Sequence, residues 1–169
     1  FMLAAEALRI KNAALYDPMA AVSSSNIEPL PHQIRAVYEH MLPQVPLRFL
    51  LADDPGAGKT IMAGLYLKEM MLRSDCERAL IVSPGGLADQ WQEELQTKFG
   101  LSFDVLTMSM VESARGNVFD DHPYLIVRMD QVSRNEQLMD QLREVRWDVA
   151  IVDEAHRMSA HYTSWNGEV

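Results

Sequence analysis

Apolar residues along this chain change their spacing near Arg48. Before it they recur at helical intervals. Leu3, Ala7, Leu8, Ile10, Ala14 and Leu15 fall on one face of a helix from Leu3 to Tyr16, closed by Asp17-Pro18. Ser23-Ser24-Ser25-Asn26 reads as a linker, and Pro31 opens a second helix that runs to about Met41 and stops ahead of Pro43. After Arg48, short apolar runs alternate with longer helical stretches. Phe49–Ala52, Ala79–Val82, Phe103–Leu106, Tyr124–Val127 and Val149–Val152 are predicted strands, and Lys59–Leu72, Leu87–Phe99 and Glu136–Val145 are predicted helices. Apolar strands separated by helices form a parallel sheet covered on both faces. The expected fold class is α/β, with residues 1–30 as an N-terminal helix and linker and residues 31–169 as the main domain.

Composition agrees with one domain: 169 residues with 48% hydrophobic content can bury a substantial core. No apolar run approaches the ~18 residues that span a bilayer, so no membrane contact is expected. The opening Phe1-Met2-Leu3-Ala4-Ala5 is followed at once by Glu6 and Arg9, unlike a signal peptide, and a start at Phe1 reads as part of a longer protein. Cys76 is the single cysteine, so no internal disulfide can form, and a reducing cytoplasm is the expected setting. Cys76 itself reads as a small, partly buried hydrophobe.

Charge narrows the function. The chain carries a net −9, but residues 1–52 balance four basic against four acidic side chains, and residues 53–169 hold 11 basic and 20 acidic groups. A self-sufficient DNA binder displays a basic face, because phosphate contacts supply most of its affinity. Any nucleic acid met by this domain is therefore held by other parts of the protein, or by a few backbone N–H groups.

Two segments carry chemistry. The strand Phe49–Ala52 leads into Asp53-Asp54-Pro55-Gly56-Ala57-Gly58-Lys59-Thr60 and then into a helix. Gly56 and Gly58 lack a Cβ, so the backbone can curl and present N–H groups to phosphate oxygens. The helix that follows adds the positive end of its dipole. Lys59 supplies a cation to the β- and γ-phosphates, and Thr60 a hydroxyl to Mg²⁺. The general phosphate-loop pattern has glycine where Asp53 stands. The second segment is Val149-Ala150-Ile151-Val152-Asp153-Glu154-Ala155-His156, in which a strand delivers two carboxylates to its C-terminal edge, where open α/β sheets bind ligands. Asp153 is placed to hold Mg²⁺, and Glu154 to orient or deprotonate an attacking water. His156 and His161 are five residues apart and do not share a helical face, which argues against a metal pair.

Together these segments resemble motifs I and II of the superfamily 2 helicases. Leu80-Ile81-Val82-Ser83-Pro84-Gly85-Gly86-Leu87-Ala88-Asp89-Gln90-Trp91 is similar to motif Ia of the Swi/Snf-type ATPases. Pro31-His32-Gln33 resembles the glutamine element ahead of motif I, and Leu125–Val132 the strand and turn ahead of motif II. Within the group the likeness is strongest to the bacterial branch that includes the RNA-polymerase recycling ATPase. It covers about Pro29 to Ser159. In that family an acidic residue at Asp53 is ordinary, while Pro55 is unusual.

The resemblance implies a RecA-like phosphate-loop fold and the cofactors ATP and Mg²⁺. It implies nucleotide contacts from Gln33, Asp54, Pro55, Gly56, Ala57, Gly58, Lys59 and Thr60, with Gln33 reading the adenine edge. Thr60 and Asp153 would hold the metal. Lys59, Asp153, Glu154 and His156 would carry catalysis, His156 by sensing the nucleotide. Ser83, Pro84, Gly85 and Gly86 would touch one strand of nucleic acid through backbone groups. The residues alone leave Gln33 open as a solvated surface glutamine and Ser83–Gly86 as an ordinary strand-to-helix turn. Trp91 keeps helical spacing with Leu87 and Leu95 and reads as core.

The implied parent is a two-lobed, DNA-stimulated ATPase that moves on double-stranded DNA and remodels a protein complex, with RNA polymerase as a candidate partner. A helicase subunit of a restriction or antiphage system and a non-catalytic ATP-switched interaction module are the alternatives. Glu154 argues against the last, since a pure switch needs no water-activating carboxylate. Family motif III, which places a strand between those of motifs I and II, has no counterpart up to Val169. The first lobe is therefore expected to be incomplete, with little hydrolysis by this chain alone.

Overall fold

The computed structural model describes residues 17–52 and 56–158. The helix predicted for Leu3–Tyr16 and the loop residues Asp53, Asp54 and Pro55 lie outside the described residues. One parallel sheet contains β1 (Ala79–Ser83), β2 (Asp104–Val105), β3 (Tyr124–Arg128) and β4 (Val149–Val152), in the spatial order β2-β3-β1-β4. Ile81 stands opposite both Ile126 and Ile151, so β1 is hydrogen-bonded along both edges.

The sequence Ala-Leu-Ile-Val-Ser suits that central place, because successive side chains go to opposite faces. Ala79 and Ile81 join a core with Val37, Leu65, Trp91 and Phe99. Leu80 joins a second core with Leu106, Phe119, Leu125 and Leu138 on the other face. Both faces are dry, which is why the strand is an unbroken apolar run.

Helices supply both covers. On the first face lie α1 (Ala20–Ser23), α2 (Pro31–Arg35, widened into a π-helical turn through Met41), α3 (Lys59–Leu72) and α4 (Ala88–Glu94, widened likewise through Phe99). On the second are α5 (Met108–Ser113), α6 (Met129–Ser133) and α7 (Glu136–Glu144). The helices α5 and α6 were not expected, since six and five residues are too few to establish an apolar repeat. The start of α5 was nonetheless signalled: Thr107 accepts a hydrogen bond from the Met110 N–H at 3.3 Å, as a helix cap does.

Two expectations are corrected. Phe49–Ala52 does not form a strand. A strand requires a ladder partner, and none of the described strands pairs with this segment or with the outer edge of β4. Leu47 and Leu51 still pack on the core, while Phe49 and Leu50 stand 41% and 77% exposed. The second correction concerns Ser23–Asn26, which is docked rather than free. Asn26 N–H donates to the Lys98 carbonyl at 2.7 Å, and the buried Lys68 Nζ donates to the carbonyls of Ser24 and Phe99 at 2.5 and 2.7 Å.

Glu69 makes this docking possible. Its carboxylate, 1% exposed, accepts from the Ala21 N–H at 2.9 Å and the Tyr38 hydroxyl at 2.7 Å, and pairs with Arg73 at 2.9 Å. Burial, then the neighbouring Glu69 carboxylate, pushes the Tyr38 hydroxyl pKa up, so Tyr38 stays a donor. One anion thus joins α1, α2 and α3. Glu69→Ala deprives the Ala21 N–H and the Tyr38 hydroxyl of their shared acceptor and releases Arg73, and is expected to cost about 3–5 kcal/mol, read as a fall in the urea midpoint at unchanged slope. Cys76 is buried, with its thiol pushed up to about 11 chiefly by burial and further by Asp148, in keeping with a packing role.

Candidate active site

The C-terminal ends of β1 and β4 and the N-terminus of α3 converge, and the candidate residues gather there. Gly56 and Gly58 have φ of +87° and +84°, a left-handed backbone that L side chains rarely adopt. Gly58 is also pressed against a neighbour: a Cβ there would lie 2.2 Å from Gln33 Nε2. Among the described residues no side chain caps α3, whose N-terminal end adjoins the Gly56–Thr60 loop. Backbone donors and a dipole end at one point are what an anion requires.

Gln33 is not a solvated surface glutamine. It is 5% exposed; its Oε1 accepts from the Leu30 N–H at 2.9 Å and its Nε2 donates to the Ala57 carbonyl at 2.9 Å. His32 Nε2 lies 3.2 Å from the same carbonyl. The start of α2 therefore supports the Gly56–Thr60 loop, a contact that its position in the sequence did not reveal.

Asp153 continues the sheet: its N–H donates to the Val82 carbonyl at 2.8 Å, which places its side chain at the sheet's upper edge. One carboxylate oxygen accepts from the Glu154 N–H at 2.9 Å, and the other from the Trp91 indole N–H at 2.9 Å. Trp91 is 6% exposed and packs in the first core, as its spacing predicted. Its bond to Asp153 was missed. The available signal was that a buried indole N–H must find an acceptor, or lose about 1–3 kcal/mol.

Thr60 and Asp153, far apart in sequence, line one cleft with Leu87, Gln90, Trp91 and Glu94. Its volume of about 60 Å³ holds an ion with a few waters rather than a nucleotide. A hydroxyl beside a carboxylate is an oxygen donor set suited to Mg²⁺, which keeps several waters and takes few protein ligands. Among the described residues no cluster of three or more His, Cys, Asp and Glu offers an alternative metal site. Glu154 follows with φ +50°, an uncommon backbone for a glutamate, and its carboxylate meets His156 Nδ1 at 3.2 Å on the open side of the site.

The expected nucleic-acid turn divides in two. Ser83 is wholly buried, its backbone paired with Arg128 in the sheet, and Pro84 is buried as well. Gly86 is exposed and Gly85 partly so. Arg128 beside them is paired to Asp89 at 3.2 Å, and Asp130 lies against Gly85. The surface here is mixed in charge, not basic. No helix among the described residues is long and apolar enough to cross a membrane.

Comparison with known proteins gives concordant results. The family model described as SNF2-related domain matches residues 32–169. Proteins named RNA polymerase-associated protein RapA are similar: that of Yersinia pestis is 40% identical over 133 residues, and that of Yersinia pseudotuberculosis 39%. In each case the match takes in 77% of this chain and 14% of the relative, so the chain spans about a seventh of their length. Among solved structures, the Sulfolobus solfataricus SWI2/SNF2 ATPase core in complex with dsDNA superposes with a TM-score of 0.67 at 21% identity, over 79% of this chain and 27% of that one. The parallel sheet and its helices are thus those of the RecA-like ATPase core. The chain belongs to the SNF2-related domain family, the Swi/Snf-type group of superfamily 2 helicases.

Proposed function

We propose that this chain is the N-terminal part of the ATP-binding lobe of a DNA-stimulated translocase, which couples hydrolysis of Mg-ATP to movement along duplex DNA and remodels a bound protein complex. The observation that carries the reading is the meeting of Thr60 and Asp153 in one small polar cleft, beside the N-terminal end of α3. The RapA relatives are named as RNA polymerase-associated, and the solved Sulfolobus core is bound to dsDNA. These likenesses favour duplex DNA as the track and RNA polymerase as the protein partner.

In this reading each residue has a stated task. Gly56–Gly58 and the first N–H groups of α3 cradle the phosphates, with Asp54 and Pro55 completing the loop. Lys59 brings its cation to the β- and γ-phosphates. Thr60 and Asp153 would hold Mg²⁺, which would supply positive charge to offset that of the phosphates. Glu154 orients the attacking water and accepts its proton, and His156, in contact with Glu154, relays the nucleotide state. Gln33 holds the Ala57 carbonyl and would read the adenine edge with the hydrogen-bonding capacity its amide has left. Gly85 and Gly86 offer the accessible backbone for the nucleic-acid strand.

ATP hydrolysis by the full-length protein, with and without duplex DNA, tests the reading. Magnesium-dependent turnover that rises with DNA is expected; turnover indifferent to DNA would remove the motor assignment. This chain alone should bind DNA only weakly, because Arg128 is already paired and the chain carries −9. Fluorescence anisotropy at two salt concentrations should show weak binding that fades as salt rises and counterion release counts for less. Sub-micromolar binding insensitive to salt would place the DNA site elsewhere.

A further inference from the structure

We infer that Trp91 is a positioning residue for the metal-holding carboxylate: its indole N–H fixes the orientation of Asp153 and ties that orientation to the helix that starts at the Gly85-Gly86 turn. The inference rests on the ATP-site reading above and names a residue that reading does not use.

Three observations support it. First, the Asp153 carboxylate is held from two sides, by the Glu154 N–H on one oxygen and the Trp91 N–H on the other, each at 2.9 Å. It cannot rotate without losing both bonds, and each oxygen keeps a lone pair free for a cation. Second, the donor is itself fixed, because the Trp91 ring is 6% exposed and packed among the core residues of the first face. Third, Trp91 sits in the first turn of α4, immediately after the Gly85–Leu87 turn. A displacement of that turn by a bound strand would move α4 and with it the indole, so the carboxylate would feel it directly. Partners behind a metal ligand set its orientation and tune its affinity in this way.

The plainer reading is that Asp153 merely satisfies a buried indole N–H. Trp91→Phe separates the two, since it retains an aromatic ring in the core and deletes the donor. The full-length protein is titrated with methylanthraniloyl-ADP, first in EDTA and then with increasing Mg²⁺. Trp91→Phe should bind the analogue in EDTA as the parent does, while the Mg²⁺ concentration for half-maximal effect rises by about 10–100-fold. An unchanged Mg²⁺ midpoint, or an equal loss with and without Mg²⁺, overturns the inference. A parent protein that binds no analogue at all would instead overturn the ATP-site reading, and the inference with it. If the variant does not fold, selective isotope labelling of tryptophan in the parent decides. The Trp91 indole N–H resonance should move when Mg²⁺ is added to the nucleotide complex and stay put when nucleotide is added alone. A resonance that ignores Mg²⁺ overturns the inference.

Discussion

Glu154→Gln in the full-length protein is expected to lower ATP turnover by about 10²–10⁴-fold, the range for loss of a general base, while nucleotide affinity stays within about twofold. The reason lies in where Glu154 stands. Asp153 lines the cleft and is bonded on both oxygens, whereas Glu154 has a left-handed backbone and a partly exposed carboxylate that pairs with His156. A carboxylate in that place can act on water without holding the nucleotide. Glutamine preserves size and hydrogen bonding but cannot take a proton. Single-turnover hydrolysis and equilibrium binding of a fluorescent ATP analogue give the two readouts. Near-parental turnover would remove Glu154 from its role; lost affinity would make it a binding residue.

Gly58→Ala should be the most damaging small substitution. A side chain at φ +84° costs about 1–2 kcal/mol by itself. The new Cβ also falls 2.2 Å from Gln33 Nε2, which is buried and holds the Ala57 carbonyl. The loop must shift to relieve that contact, and a shift of about 1 Å at a reactive site can cost roughly 10²-fold. Isothermal titration with ADP is expected to show a loss of that order. Gly58→Ala combined with Gln33→Ala removes the clash but leaves the backbone strain and also deletes the adenine contact proposed for Gln33, so affinity should stay below the parental level. Gly116→Ala, at a position with open space around it, is the control and should change stability by less than about 0.5 kcal/mol. A Gly58→Ala protein with parental affinity would mean that the loop does not bind phosphate in this form.

The strands β1, β3 and β4 and the helix α3 were legible because local pattern and tertiary demand agree there. Each strand contains a run of four apolar residues, and α3 opens on a glycine loop and stays apolar from Ile61 to Leu67 except at Gly64. Phe49–Ala52 misled for the opposite reason: its residues suit a strand, but a strand is a relation between two segments, and no described segment pairs with it. The candidate site residues could be proposed from sequence because phosphate and metal chemistry restrict residue type and spacing. Their supports were not. Gln33 under Ala57, Trp91 on Asp153 and Glu69 beneath Ala21 and Tyr38 are all long-range hydrogen bonds of buried polar groups. A sequence gives the need of each group for a partner without naming the partner.

The central claim is movement along duplex DNA driven by ATP, and displacement of a third strand tests it most directly. A triplex-forming oligonucleotide is annealed on a duplex, and its release by the full-length protein is followed by fluorescence. Release that requires both ATP and Mg²⁺, is abolished by Glu154→Gln, and leaves the duplex paired is the predicted result. No release despite ATP hydrolysis, or separation of the duplex strands themselves, would contradict it.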